Sequence, residues 1–136
     1  MKSIIVSTTR IDWISGSNLY GKASIYNGKE LVQLKILSDR RREGAGLAYL
    51  VKFSPPAGKL IKIIAVAKSD EHTYVLEGGS CNRSGQQLRF PGDYALNPKG
   101  HTHSAFIGTD TVSLVVYAGE PDEILELAVT DVASTQ

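Results

Sequence analysis

The residues best equipped for chemistry are few. All three histidines of the chain fall at positions 72, 101 and 103, and Glu71 adjoins the first of them. His101 and His103 are two residues apart, so in an extended segment both side chains leave the same face. Glu71 and His72 are neighbours, and on a strand only one of the two can face inward; the sequence leaves open which. An imidazole and a carboxylate together offer a general acid and a general base, and a cavity can tune either towards neutral pH. His103, Glu71 and His72 are therefore the candidate catalytic groups. Tyr74 alternates with His72 and is the aromatic that could touch a ligand on that face, although strand aromatics such as Tyr49, Tyr74, Tyr94 and Tyr117 read more readily as core. Cys81 is the single cysteine. It lies in the turn-like run Gly78-Gly79-Ser80-Cys81-Asn82, with no histidine pattern that would make it a nucleophile, and a lone cysteine suggests a reducing compartment.

Strands must position these groups. Residues 30–37, 47–53, 59–67, 73–76, 87–90, 94–96 and 111–118 are short, rich in β-branched or aromatic residues, and alternate for much of their length. In the last of them Val112, Leu114 and Val116 share one face, and Val115 and Tyr117 the other. Turn signals separate the runs: Pro55-Pro56-Ala57-Gly58, Gly78-Gly79, Ser84-Gly85, Pro91-Gly92-Asp93, Pro98-Lys99-Gly100 and Gly119-Glu120-Pro121. Short strands at this spacing predict an antiparallel sandwich or barrel. Residues 122–129 read as a helix or as a final strand. No repeat, low-complexity tract or linker divides the chain, which reads as one domain over residues 1–136.

Composition sets the class of protein. The chain has 136 residues, 42% apolar and 21% charged, the balance of a soluble globular domain. Fifteen Lys and Arg stand against fourteen Asp and Glu, so no basic face argues for nucleic acid. The one basic run, Arg40-Arg41-Arg42, meets Glu43 and Gly44-Ala45-Gly46 and reads as a solvated loop. The N-terminal apolar stretch Ile4-Ile5-Val6 is too short for a signal-peptide core, and no run reaches membrane-spanning length. The expected setting is cytoplasmic, with no membrane partner.

The segment from Glu71 to His103 resembles the cupin superfamily. Its first stretch reads Glu-His-Thr-Tyr-Val-Leu-Glu-Gly-Gly, similar to the end of the first cupin motif. Pro91-Gly92-Asp93 and Pro98-Lys99-Gly100-His101-Thr102-His103 then match the second motif position by position, and Pro55-Pro56-Ala57-Gly58 resembles the turn before the first. The similarity spans about residues 47–118. It implies an all-β, antiparallel jelly-roll barrel with little helix, and a small molecule or a metal held inside it. It also implies a homodimer in which the Ile4-Ile5-Val6 strand is exchanged or packed across the interface, since an uncovered edge strand tends to be paired.

One departure bears on function. Metal-binding cupins carry a His-x-His pair shortly before the first-motif Glu or His, and here the matching strand reads Ile63-Ile64-Ala65-Val66-Ala67. Ala65 and Ala67 stand where two ligands are expected, so the four-ligand site does not carry over. His101, His103 and His72 or Glu71 are left as a shortened facial set for one divalent transition metal. Loss of the pair weighs against any metal and against an oxygenase in particular. The volume freed at Ala65 and Ala67 suits an organic ligand. Two readings follow: a small-molecule enzyme of isomerase, cyclase, lyase or oxygenase type, or a non-catalytic module that binds a small metabolite. Convergence of His103 with a second ionisable group in an apolar pocket would favour the enzyme.

Overall fold

The structure, a computed structural model, describes residues 2–134. Antiparallel strands make up the fold: β1 (Ile14–Ser15), β2 (Ile25–Tyr26), β3 (Lys29–Glu30), β4 (Val32–Asp39), β5 (Leu47–Phe53), β6 (Lys59–Val66), β7 (Glu71–Glu77), β8 (Tyr94–Asn97), β9 (Thr102–Ile107), β10 (Thr111–Tyr117) and β11 (Glu123–Asp131). Helix is confined to α1 (Ser17–Tyr20) and two single 3₁₀ turns. Six strands form one sheet in the order β1-β4-β5-β10-β7-β8, and three form a second in the order β11-β6-β9. The result is an antiparallel jelly-roll barrel.

Period-2 alternation dictates which side chains line the interior. On β5, Leu47, Tyr49, Val51 and Phe53 are buried while Ala48, Leu50 and Lys52 are half-exposed. On β10, Thr111, Ser113, Val115 and Tyr117 point inward and Val116 outward. In the smaller sheet Ile61, Ile63 and Ala65 of β6 lie opposite Ile107, Ala105 and His103 of β9. One continuous apolar cluster, including Leu31, Val32, Tyr49, Val51 and Ile61, joins the two sheets.

Turn chemistry fixes the corners. Gly100 has φ +89, and His101 N–H donates to Pro98 O at 3.0 Å, so the Pro-Lys-Gly corner launches β9 directly. At Gly46 (φ +93) a Cβ would stand 2.1 Å from Tyr117 O, so the entry to β5 admits no side chain.

Several expectations change. Residues 87–90 form no strand: Gln87 makes a single bridge to Cys81, and its amide Nε2 donates to the carbonyls of Gly78 and Arg89, which holds the segment as a loop. Residues 122–129 resolve to strand β11, and β9 is a strand the sequence does not announce. Ile4-Ile5-Val6 pairs with no strand among the described residues and is exposed, Ile5 to 92%. The Arg40–Glu43 run is a surface 3₁₀ turn whose charges pair locally, Arg40 with Glu43 and Arg41 with Asp39.

Candidate functional site

Three strand ends bring three ionisable side chains together inside the barrel. Glu71 opens β7 and points inward, 6% exposed, while its neighbour His72 points outward. His103 is the second residue of β9 and faces the interior with Ala105 and Ile107. Asp122 immediately precedes β11, where Pro121 ends the preceding turn. Its side chain is 4% exposed. His103 Nε2 lies 2.7 Å from Asp122 Oδ2 and 3.6 Å from Glu71 Oε1. One donor atom from each of the three lies within 4.8 Å of the others.

Hydrogen bonds hold this centre in place. Asn97 Nδ2 donates to Glu71 Oε1 and the Tyr117 hydroxyl donates to Glu71 Oε2, each at 2.8 Å. Behind Tyr117 lie two more buried hydroxyls: Tyr117 and Tyr49 are 3.3 Å apart, and Tyr49 and Tyr20 are 2.9 Å apart. Asp122 Oδ1 is buried without any hydrogen-bond partner among the described residues. Burial in the barrel, together with the nearby Asp122 carboxylate, raises the pKa of Glu71 above the ordinary carboxylate range. The hydrogen bond that its ring makes to the Asp122 carboxylate raises the pKa of His103. Burial pushes the three tyrosines upward, so they stay neutral hydroxyls.

The centre opens on a cavity of about 230 Å³. Its wall is partly apolar (Val51, Phe53, Ile63, Val75, Val115), with Tyr20, Thr73 and Asn97 as polar points. The loop between β7 and β8 contributes Ser80, Arg89 and Asp93.

Other candidate residues lie elsewhere. His72 Nδ1 is 2.7 Å from the Tyr94 hydroxyl on the outer face of the sheet. His101 is exposed and stacks on His103 with ring centroids 6.4 Å apart, outside the three-group cluster. Tyr74 is exposed on the same outer face as His72. Ala65 and Ala67 are both buried, and neither lines the cavity; Ala65 is the ladder partner of His103, and Ala67 N–H donates to His101 O. Only His103 and Glu71 of the sequence-derived set meet in the interior. Asp122 completes the centre and was missed. Its one sequence signal is an acid following a Pro at the head of an apolar run, which reads equally well as a capped helix.

No family model matches the sequence, and no curated protein matches it either. Solved structures do share the architecture. KdgF from Halomonas sp. is 18% identical, with a TM-score of 0.57 over 88% of this chain and 96% of that one. A protein of unknown function with a cupin-like fold from Ralstonia eutropha JMP134 is also 18% identical, with a TM-score of 0.63 over 91% of this chain and 77% of that one. Fe(II)-HppE, solved with the alternative substrate (S)-1-HPP, is 13% identical, with a TM-score of 0.55 over 85% of this chain and 60% of that one. At these identities the likeness is one of fold: this is a cupin barrel. No helix among the described residues is long and apolar enough to cross a membrane.

Proposed function

We propose that the protein takes a compact organic molecule into its barrel and acts on it at the Glu71–His103–Asp122 centre, which holds one divalent cation. Asp122 Oδ1 carries this reading. A carboxylate oxygen left unpaired in a closed interior is costly, and here it sits beside a second buried carboxylate and an imidazole. A cation would satisfy the unpaired oxygen and offset the excess negative charge. One nitrogen and two carboxylate donors suit a first-row divalent ion. Neither ligand position of the missing His-x-His pair is needed, because Asp122 arrives from another element. Fe(II)-HppE is a metal-loaded precedent among proteins of similar fold.

A cation bound there would supply Lewis-acid polarisation of a ligand oxygen. The remaining work belongs to the chain's own residues. Asn97 and Tyr117 fix both oxygens of Glu71, so that its Oε1 faces His103. Asp122 fixes the His103 ring. A ligand oxygen polarised there, against a partly apolar wall, would favour catalysis of isomerase, cyclase or lyase type over binding alone.

Self-association is part of the same proposal. The outer face of the six-stranded sheet leaves Tyr74, Leu76, Tyr94 and Leu96 exposed, and a homodimer would cover them.

Elemental analysis of untagged protein tests the centre, alongside Asp122→Ala and His103→Ala. Near-stoichiometric transition metal in the parent and its loss in both variants is the expected result. Absence of metal from the parent, even after anaerobic dialysis against Fe(II), Mn(II) or Co(II), would remove the cation from this reading.

A further inference from the structure

The three buried tyrosines form a chain of hydroxyls that starts on Glu71 and returns to the cavity. Tyr117 and Tyr49 do not line the cavity, whereas Tyr20, at the far end, does. Tyr20 comes from α1, its ring meets Phe53 edge-on at 5.9 Å, and Tyr49 is the one partner of its hydroxyl among the described residues.

Counting hydrogens fixes the direction of this chain. A hydroxyl carries one hydrogen. Tyr117 spends its hydrogen on Glu71 Oε2. The Tyr49–Tyr117 bond must then use the Tyr49 hydrogen, and the Tyr20–Tyr49 bond the Tyr20 hydrogen. Three hydrogens serve three bonds, and none is left for the cavity. With its hydrogen spent on Tyr49, the Tyr20 hydroxyl has only lone-pair capacity left for a molecule in the cavity it lines.

We infer that Tyr20 is a specificity residue that accepts a hydrogen bond from the ligand, so the molecule bound beside the Glu71–His103–Asp122 centre carries a hydroxyl or amine hydrogen at that point. This rests on the reading that the cavity receives a small organic molecule. An ether or carbonyl oxygen at the same place would face the Tyr20 oxygen with no hydrogen between them and would be rejected. Tyr49 and Tyr117 are positioning residues, since they act on the ligand only by committing the Tyr20 hydrogen.

The test uses ethylene glycol and 1,2-dimethoxyethane as probes, with protein carrying ¹³C at the tyrosine ζ carbons and a ¹⁵N-labelled backbone. Glycol should shift the Tyr20 resonance while the ether does not, and Tyr20→Phe should weaken glycol about threefold to tenfold. Tyr49→Phe keeps the ring but breaks the chain, which frees the Tyr20 hydrogen; ether binding should then appear and the preference for glycol shrink. That gain is not expected of a residue that merely fills space. The inference is overturned if both probes perturb Thr73 and Ser113 of the cavity wall equally in the parent protein, or if Tyr49→Phe leaves their ratio unchanged. If neither probe perturbs any cavity residue at concentrations up to 1 M (roughly the weakest binding such fragments show), the underlying reading of the cavity as a ligand site fails, and the Tyr20 assignment falls with it.

Discussion

In metal-free protein, Asp122 accepts a hydrogen bond from the imidazolium of His103 and keeps that proton bound above the ordinary pKa of 6.5. Asp122→Asn should lower the His103 pKa, which nitrogen-detected titration of chelator-treated protein would show. The sign for stability follows. A folded pKa raised above the unfolded value makes a contribution that is complete below pH 6.5 and fades as pH rises through the folded value. The parent should therefore lose its margin over the Asn variant across that interval in urea melts. The folded pKa of Glu71 is raised as well, so its contribution also fades as pH rises, here because burial disfavours the charged form. Glu71→Gln should keep or raise the melting temperature of the metal-free protein near pH 7, yet abolish metal uptake and turnover. A site whose removal stabilises the fold is the usual mark of function held at the cost of stability.

At the level of elements, the strand ladder determines how tolerant each position is. Ile61 is fully buried on β6, the central strand of the smaller sheet, between Val129 and Ile107. Ile61→Ala should cost about 2–5 kcal/mol in chemical denaturation. Gly46→Ala should prevent β5 from closing on β10, since a Cβ would overlap the Tyr117 carbonyl; loss of soluble expression would report it. The same ladder explains what could be read in advance. β5, β6 and β10 alternate strongly between branched apolar and other residues, and the sequence announces them. β9 (Thr102–Ile107) opens on Thr, His, Ser and Ala, has no such contrast, and follows a turn, so the alternation does not announce a strand there. Strand β11 mixes Glu and Leu on partly exposed faces, which imitates a helix. Asp122 was illegible for another reason: its partners Glu71 and His103 lie on separate strands and meet it only in three dimensions.

Over the whole molecule, two surfaces carry the remaining expectations. Tyr94, 58% exposed, lies beside Tyr74 among the exposed apolar side chains of the outer sheet. Tyr94→Arg should convert a dimer to a monomer in light-scattering measurements; a parent that is already monomeric at tens of micromolar would remove the homodimer. The interior surface has a mechanical consequence. Glu71 belongs to the six-stranded sheet, whereas His103 belongs to the three-stranded one and Asp122 sits at the head of its strand β11. Whatever ties these three side chains together therefore rivets one sheet to the other. By mass action, an occupant present at a hundred times its dissociation constant adds about 2.7 kcal/mol to the fold. The barrel thus becomes its own detector: a melting curve run against a panel of cations and hydroxylated small molecules would reveal an occupant as heat resistance, before any reaction is known.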